Sequence, residues 1–409
     1  MARRSFVAPI VIALAAAAPA AEPERALRER VDAAIERGVD HLRDRRRSLG
    51  GIGSESVYPL GVECLAFYTL RVCGVPPDDA FVGWLEAQAR TAVSEAPHTY
   101  TVSLALLGLL LSDRERHASR IVEAITRIEA GQLKQEDAGA WGYLLPLGRT
   151  TGRAGGQGTA MQAAHWPAPP DWWDNSNSQI AVLALRSAVD FGFSVEPAVL
   201  RRAAEHFLAV QRGDGGFAYD EQGHRTRSYV AMTAGVGGSL VMCRDLLGDD
   251  ASDRALRRTI DRALRRARGW LGRRLSYPTP DSPWPYYAAY AVERYGHYAG
   301  VDRFGDVDWY ADGAAWLLDA QRRDGGWDTQ SLAPRSRSRG GRDDRPFVTT
   351  ASVSDTCFAL LFLRRSSFVH TRVSDEVRVL LRSVDAQARP AELEALAARI
   401  VAAGDRKSV

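Results

Sequence analysis

Gln211-Arg-Gly-Asp-Gly-Gly-Phe217 and Gln321-Arg-Arg-Asp-Gly-Gly-Trp327 are nearly one phrase, written twice 110 residues apart. Each closes an apolar-periodic helix and is followed, after a polar stretch, by another such helix. That recurrence marks a helical-hairpin repeat, and the separation corresponds to two hairpins of about fifty-five residues each. The third hairpin carries a worn copy, Gln132 followed by Ala138-Gly-Ala-Trp141-Gly-Tyr143. The residues of the phrase read as architecture. Gln211 and Gln321 end an outer helix, where a planar amide can bond backbone groups that the helix leaves unpaired. Gly215-Gly216 and Gly325-Gly326 allow a tight reversal with positive φ. Phe217 and Trp327 then bury a large ring on the adjoining helix.

Working outward, apolar spacing near 3.6 and helix-ending glycines divide the chain into about six helical pairs. Outer members are expected near Arg25 to Leu42, Asp78 to Arg90, Glu115 to Ala130, Glu196 to Gln211, Asp253 to Arg274 and Asp308 to Gln321. They mix Arg and Glu with a Leu/Ala/Ile stripe, so one face is wet. Inner members are expected near Pro59 to Cys73, Thr99 to Leu111, Asn175 to Phe191, Tyr229 to Leu247, Pro285 to Tyr298 and Ser354 to Arg364. These are apolar almost all round, and a helix without a polar face must be surrounded. The reading is all-α, with an inner ring of six helices wrapped by an outer ring, as one main domain over 22–370. Two insertions interrupt it, Arg149 to Pro170 and the Arg/Ser/Gly-rich Ser331 to Asp344. Residues 371–409 read as a helical tail.

Composition is that of a globular protein with a sizeable core, 45% hydrophobic and 25% charged. The formal charge of +3 is carried almost wholly by Arg, with Lys134 and Lys407 the only lysines, a skew that points to GC-rich coding. Asp and Glu are interleaved with the Arg, as from Asp249 to Arg268, so no face is gathered for nucleic acid. Residues 1–21 read as a signal peptide: Arg3 and Arg4, an apolar core from Phe6 to Ala18, and Ala18-Pro-Ala20 as a cleavage site. Export, periplasmic or secreted, is the expectation, and no later segment is long enough to span a bilayer. Cys64 and Cys73 share one predicted helix and lie too far along it to bridge. Cys64 and Cys357 would meet if a ring closed, the alternative being four buried thiols with Cys243 among them.

The repeated phrases resemble the Gln-Trp repeats of the prenyltransferase and squalene-cyclase superfamily. More narrowly, Asp174-Asn-Ser-Asn-Ser-Gln179, Met232-Thr-Ala-Gly235, Tyr286-Tyr287 with Glu293-Arg294, Asp308-Trp-Tyr310 and the run Thr356 to Arg364 resemble exported bacterial prenyltransferase/squalene oxidase repeat proteins. The resemblance is firm over Asp171 to Arg365 and implies an α/α toroid with a central cavity. Its chemistries can be tested by residue. Class II cyclases protonate an alkene with the middle Asp of Asp-x-Asp-Asp-Thr-Ala, and both local counterparts, around Ser176 and Ser354, place serine there. A hydroxyl titrating far above neutrality cannot protonate an alkene. Zinc-binding prenyltransferase subunits use Asp-x-Cys plus a later His. Asp355 and Cys357 supply the first half, but only His370 follows, too few ligands for zinc.

The starts of the inner helices should ring one mouth, bringing Glu63, His98, Tyr100, Asp174, Asn175, Asn177, Tyr229, Thr233, Tyr286, Tyr287 and Asp355 together as the default pocket. Asp174 and Asp355 are the catalytic candidates, an acid and base pair for glycan chemistry with Trp172, Trp173 and Trp284 stacking on sugars. The plainer reading makes both aspartates helix caps and the tryptophans packing. Neither a phosphate loop nor a dinucleotide fingerprint occurs, and no cofactor is called for. Three functions follow: a toroid holding a hydrophobic, isoprenoid-like or glycan ligand; a cyclase-like isomerase or carbohydrate-active lyase or hydrolase; or a protein-interaction platform. A deep cavity of Phe, Trp and Leu would favour terpenoids, facing carboxylates sugars, and a plugged centre the platform.

Overall fold

In a computed structural model of the chain, the described residues are 22–49, 60–134, 139–146, 172–220, 227–329 and 348–367. The expected signal peptide, the insertion at Arg149 to Pro170, Ser331 to Asp344, His370 and the tail lie outside them. Outer helices are α1 (Glu22–Leu49), α3 (Ala80–Glu95), α5 (Arg114–Ala130), α7 (Pro197–Ala209), α9 (Ala251–Gly272) and α11 (Trp309–Ala320). Inner helices are α2 (Gly61–Val72), α4 (Thr99–Leu110), α6 (Asn175–Asp190), α8 (Val230–Arg244), α10 (Pro285–Ala299) and α12 (Val348–Leu363). One two-residue antiparallel ribbon, β1 (Arg303–Phe304) with β2 (Val307–Asp308), pairs Arg303 with Asp308 and leads into α11.

Each inner helix packs on the next, α2 on α4, then α6, α8, α10 and α12, and α12 returns to α2, so the inner ring is closed. This is an α/α toroid. The two rings differ locally as their sequences require. Acids cap most outer helices: Asp79, Asp113, Glu196, Asp250 and Asp308 accept N–H bonds from the first turns of α3, α5, α7, α9 and α11. Inner helices bury almost every residue, Val102 through Leu110 in α4 and Val230 through Cys243 in α8. Ser354 was the expected start of the last inner helix, but α12 begins six residues earlier, at Val348.

The repeated Gln joins neighbouring outer helices, beyond the helix-end role expected of it. Gln211 Nε2 donates to Gly215 O and to Ala263 O of α9, and Arg266, one turn on, donates to its Oε1 at 3.1 Å. Gln132 repeats this with Gly139 O, Val199 O of α7 and Arg202. Gln321 does so with Gly325 O, Ala34 O of α1 and Arg37, which ties the last outer helix to the first. A second bond seats the aromatic on its inner helix: Trp141, Phe217 and Trp327 each donate a backbone N–H at 3.0 Å to Ser178, Thr233 and Thr356.

All four cysteines are free thiols. α2 and α12 do lie side by side, but Cys357 sits near Thr69 and Cys73, with no bond to Cys64, and burial pushes its thiol up to about 12. No described helix is long and apolar enough to cross a membrane.

Candidate functional site

First-turn residues of three inner helices meet in the bore. Tyr100 of α4 reaches across to Tyr287 of α10, hydroxyl to hydroxyl at 2.9 Å, and both contact Ser176 of α6, at 2.7 and 3.1 Å. α4 and α10 stand on opposite sides of the ring, so this contact spans it. Beneath it, Gln179 of α6 donates to the Tyr287 hydroxyl and accepts from Arg294 of α10 at 2.8 Å. Room for the Gln179 amide comes from Gly235 of α8, where a Cβ would fall 1.7 Å from its Oε1. Tyr68 of α2 meets Tyr290 at 3.5 Å, and Phe358 of α12 packs on Tyr287 and Tyr290. Tyr100, Ser176 and Phe358 keep some exposure while the residues below them are closed off. At the level of these tyrosines the centre of the toroid is therefore occupied by protein, the outcome named above for an interaction platform, so a ligand has room only above this floor.

Beside this floor stands an aromatic wall. Trp172 stacks on Tyr143 with centroids 5.0 Å apart and planes 5° from parallel, and leans on Tyr219, whose hydroxyl lies 2.5 Å from that of Tyr143. All three are half-buried. Trp284, at the N-cap of α10, is 43% exposed.

The structure sorts the sequence candidates. Tyr100 and Tyr287 come together. Trp172 reaches the same region, whereas Trp173 is buried edge-on against His206. Asp174 caps α6, its carboxylate held by the N–H and amide of Asn177, with Asp220 nearby. Asn175 donates to Ala218 O, Thr233 takes the Phe217 N–H, and the Tyr229 N–H reaches Phe217 O. Glu63 is buried in the first turn of α2, and His98, before α4, has its pKa lowered to about 4 by burial. Tyr286 turns outward and stacks on Trp316 of α11 at 5.2 Å, since one residue along a helix rotates about 100° from Tyr287. Asp355 is no helix cap: it lies two turns inside α12, and its Oδ2 accepts the Thr329 N–H and hydroxyl, both at 2.7 Å. Among the described residues no contact joins Asp174 to Asp355. Sequence reading passed over Ser176 as a binding group, Gln179 and the role of Arg294; the spacing Tyr287, Tyr290, Arg294 along one face of α10 was the available signal.

Burial sets the charges here. Desolvation raises Asp174 and Glu293 to about 7 and Asp355 to about 6, against hydrogen bonds that lower them. Glu293 is fully buried and accepts from Ser366 Oγ and from the Ser367 N–H and hydroxyl. With its folded pKa above the unfolded value, Glu293 holds its proton in the folded chain between about pH 4.5 and 7. Its contribution to stability is full below that window and is lost as pH rises through it. Glu293→Gln should flatten the fall in stability between pH 5 and 7.5 by on the order of 2 kcal/mol. Denaturant titrations at both pH values check this; parallel losses in wild type and variant would contradict it.

The closed inner ring and the Gln-fastened outer helices define the fold, an α/α toroid. Among solved structures, two variants of the type II terpene cyclase MstE from Scytonema, each in complex with its substrate geranylgeranyl dihydroxybenzoate, share this fold. Each is 14% identical to this chain over 84% of its length and 99% of theirs, with TM-scores of 0.50 and 0.51. No protein-family model and no curated protein matches the chain.

Proposed function

We propose that this chain is an exported α/α-toroid binding protein for an amphipathic, isoprenoid-like ligand, held at the mouth formed by the inner-helix starts. The observation that carries the reading is the Tyr100–Ser176–Tyr287 floor, partly exposed at Tyr100 and Ser176, beside the Trp172–Tyr143–Tyr219 wall, polar donors next to stackable apolar surface. The MstE complexes, which hold a geranylgeranyl compound in the same fold, support the ligand class. The first 21 residues support export. Binding is favoured over cyclisation because both positions where a cyclase acid would stand are serine, and Ser176 is engaged with two tyrosines. A glycan is the second reading, favoured by the exposed Trp284 at the rim.

Native mass spectrometry of protein purified from its native periplasm tests this. A retained lipid of a few hundred daltons is expected, with Trp172→Ala and Tyr287→Phe each weakening retention by roughly tenfold, about one hydrogen bond or stacking contact. A retained hexose ladder would replace the lipid by a glycan. Protein free of small molecules, and not stabilised by added geranylgeraniol, would leave the interaction platform.

A further inference from the structure

α9 separates in space the charges that its sequence interleaves. Its two acids are taken by neighbouring elements: Asp253 accepts the Gly248 N–H and pairs with Arg201 of α7, and Asp261 lies 3.3 Å from Arg244 at the end of α8. Ile260, Ala263, Leu264, Ala267, Trp270 and Leu271 are buried against the ring. The outward face is left to Arg254, Arg258, Arg262, Arg265 and, just past the helix, Arg273, all of them exposed. At roughly 100° and 1.5 Å per residue these five fall within an arc of about 100° and form a row about 28 Å long. Among the described residues Arg258, Arg265 and Arg273 make no hydrogen bond or ion pair, and Arg254 and Arg262 bond only to neutral groups, the Asp249 carbonyl and the Thr259 hydroxyl. Like charges at i,i+4 destabilise a helix, and Arg254, Arg258 and Arg262 stand at that spacing. The row therefore works against the helix that carries it, and a negative partner from outside would relieve it.

The surroundings narrow the partner. Exposed carboxylates flank the row: Glu205 on α7, Asp306 in the turn of the ribbon that packs on α9, and Asp249 before the helix. A broad anionic surface such as a bilayer would meet them, whereas a single charged strand lying along the row passes between. Nucleic-acid bases are read by a helix set into a groove or by aromatic platforms. α9 is half sunk in the ring, and between the arginines its outward face shows Ala255 and Gly269 and no aromatic ring.

We propose that this row binds a linear acidic polysaccharide, one whose sugars carry carboxylates, through forked guanidinium–carboxylate bonds. The site lies on the outer wall, apart from the mouth, and takes from the reading above only export of the chain.

Fluorescence anisotropy with labelled alginate oligosaccharides tests it, beside neutral dextran oligosaccharides and duplex DNA, with co-sedimentation on vesicles containing phosphatidylglycerol. Alginate should bind and dextran should not, and the affinity for alginate should fall about tenfold or more between roughly 50 and 300 mM NaCl, as exposed charge pairs are screened. The triple variant Arg258→Gln/Arg262→Gln/Arg265→Gln should weaken alginate about tenfold, the sum of three exposed pairs. Removing three charges elsewhere, with Arg28→Gln/Arg90→Gln/Arg227→Gln, should change it by less than about threefold, since these lie beyond the screening length. The α9 variant should melt no lower than wild type because it relieves like-charge repulsion, so its lost affinity reports contact and not unfolding. No alginate binding, binding indifferent to salt, or equal losses in the two triple variants would overturn the proposal. Tighter binding to DNA or to the vesicles than to alginate would overturn it as well, and assign the row to that partner. Lipid retention at the mouth is read separately by native mass spectrometry, so the two readings fail independently.

Discussion

Trp327→Ala is expected to lower stability by about 3–5 kcal/mol, the range for truncating a fully buried large aromatic. The ring is 0% exposed, its Nε1 donates to Leu317 O of α11 at 2.9 Å, and its backbone N–H is bound by Thr356 of α12. From the third side α1 presses in: a Cβ on Gly38 would lie 2.9 Å from the indole. One side chain thus fills the junction of the first outer helix with the last hairpin, where the ring closes. A void there cannot be filled by sliding a helix, because Gln321 fastens α11 to Ala34 and Arg37 of α1. Trp172→Ala, which removes a half-buried ring stacked on one face, should lose on the order of 1–2 kcal/mol. Equilibrium denaturation measures both, and an unchanged midpoint for Trp327→Ala would show that the seam does not depend on the indole.

The architecture was legible in sequence because it repeats. Gln, a positive-φ Gly and an aromatic recur with the same bonds at Gln132, Gln211 and Gln321, and full apolar surround marked the inner helices. What each Gln reaches was hidden: the carbonyl receiving the Gln321 amide belongs to Ala34, far away along the chain. Only the ring brings them together. The start of α12 was misjudged because Val348 to Ala351 follows an Arg/Ser/Gly-rich stretch, and Asp355 consequently resembled a cap. The mouth was legible in part. Tyr100 and Tyr287 were found because they lie in the first turns of inner helices, but Tyr286, equally plausible by position, faces the outer ring. Helical phase within one residue depends on packing against α11, through Trp316, and local periodicity does not fix it. Arg294 read as part of a family-like Glu-Arg pair; that its hydrogen bond goes across the bore to Gln179 is a fact of three dimensions.

Gly325→Ala should be among the most damaging of the small substitutions, at about 3 kcal/mol or more. Two independent penalties meet at this residue. Its φ of +82° is unfavourable for any side chain, worth roughly 1–2 kcal/mol. A Cβ would also stand 2.3 Å from the backbone oxygen of Arg37 on α1, an atom that cannot swing aside as a side chain would. Gly139 meets the Arg202 oxygen at 2.1 Å in the same way, whereas Gly215 keeps 3.0 Å from Arg266. The closeness of outer-helix contact therefore predicts an order: Gly139→Ala and Gly325→Ala alike, Gly215→Ala milder, and Gly213→Ala, with nothing within 4 Å, within about 0.5 kcal/mol of wild type. Chemical denaturation of the four variants reads the order directly. If Gly325→Ala were no worse than Gly215→Ala, only the shared backbone conformation would matter, and the outer helices would not be held as close as the Gln321 bonds to Ala34 and Gly325 require.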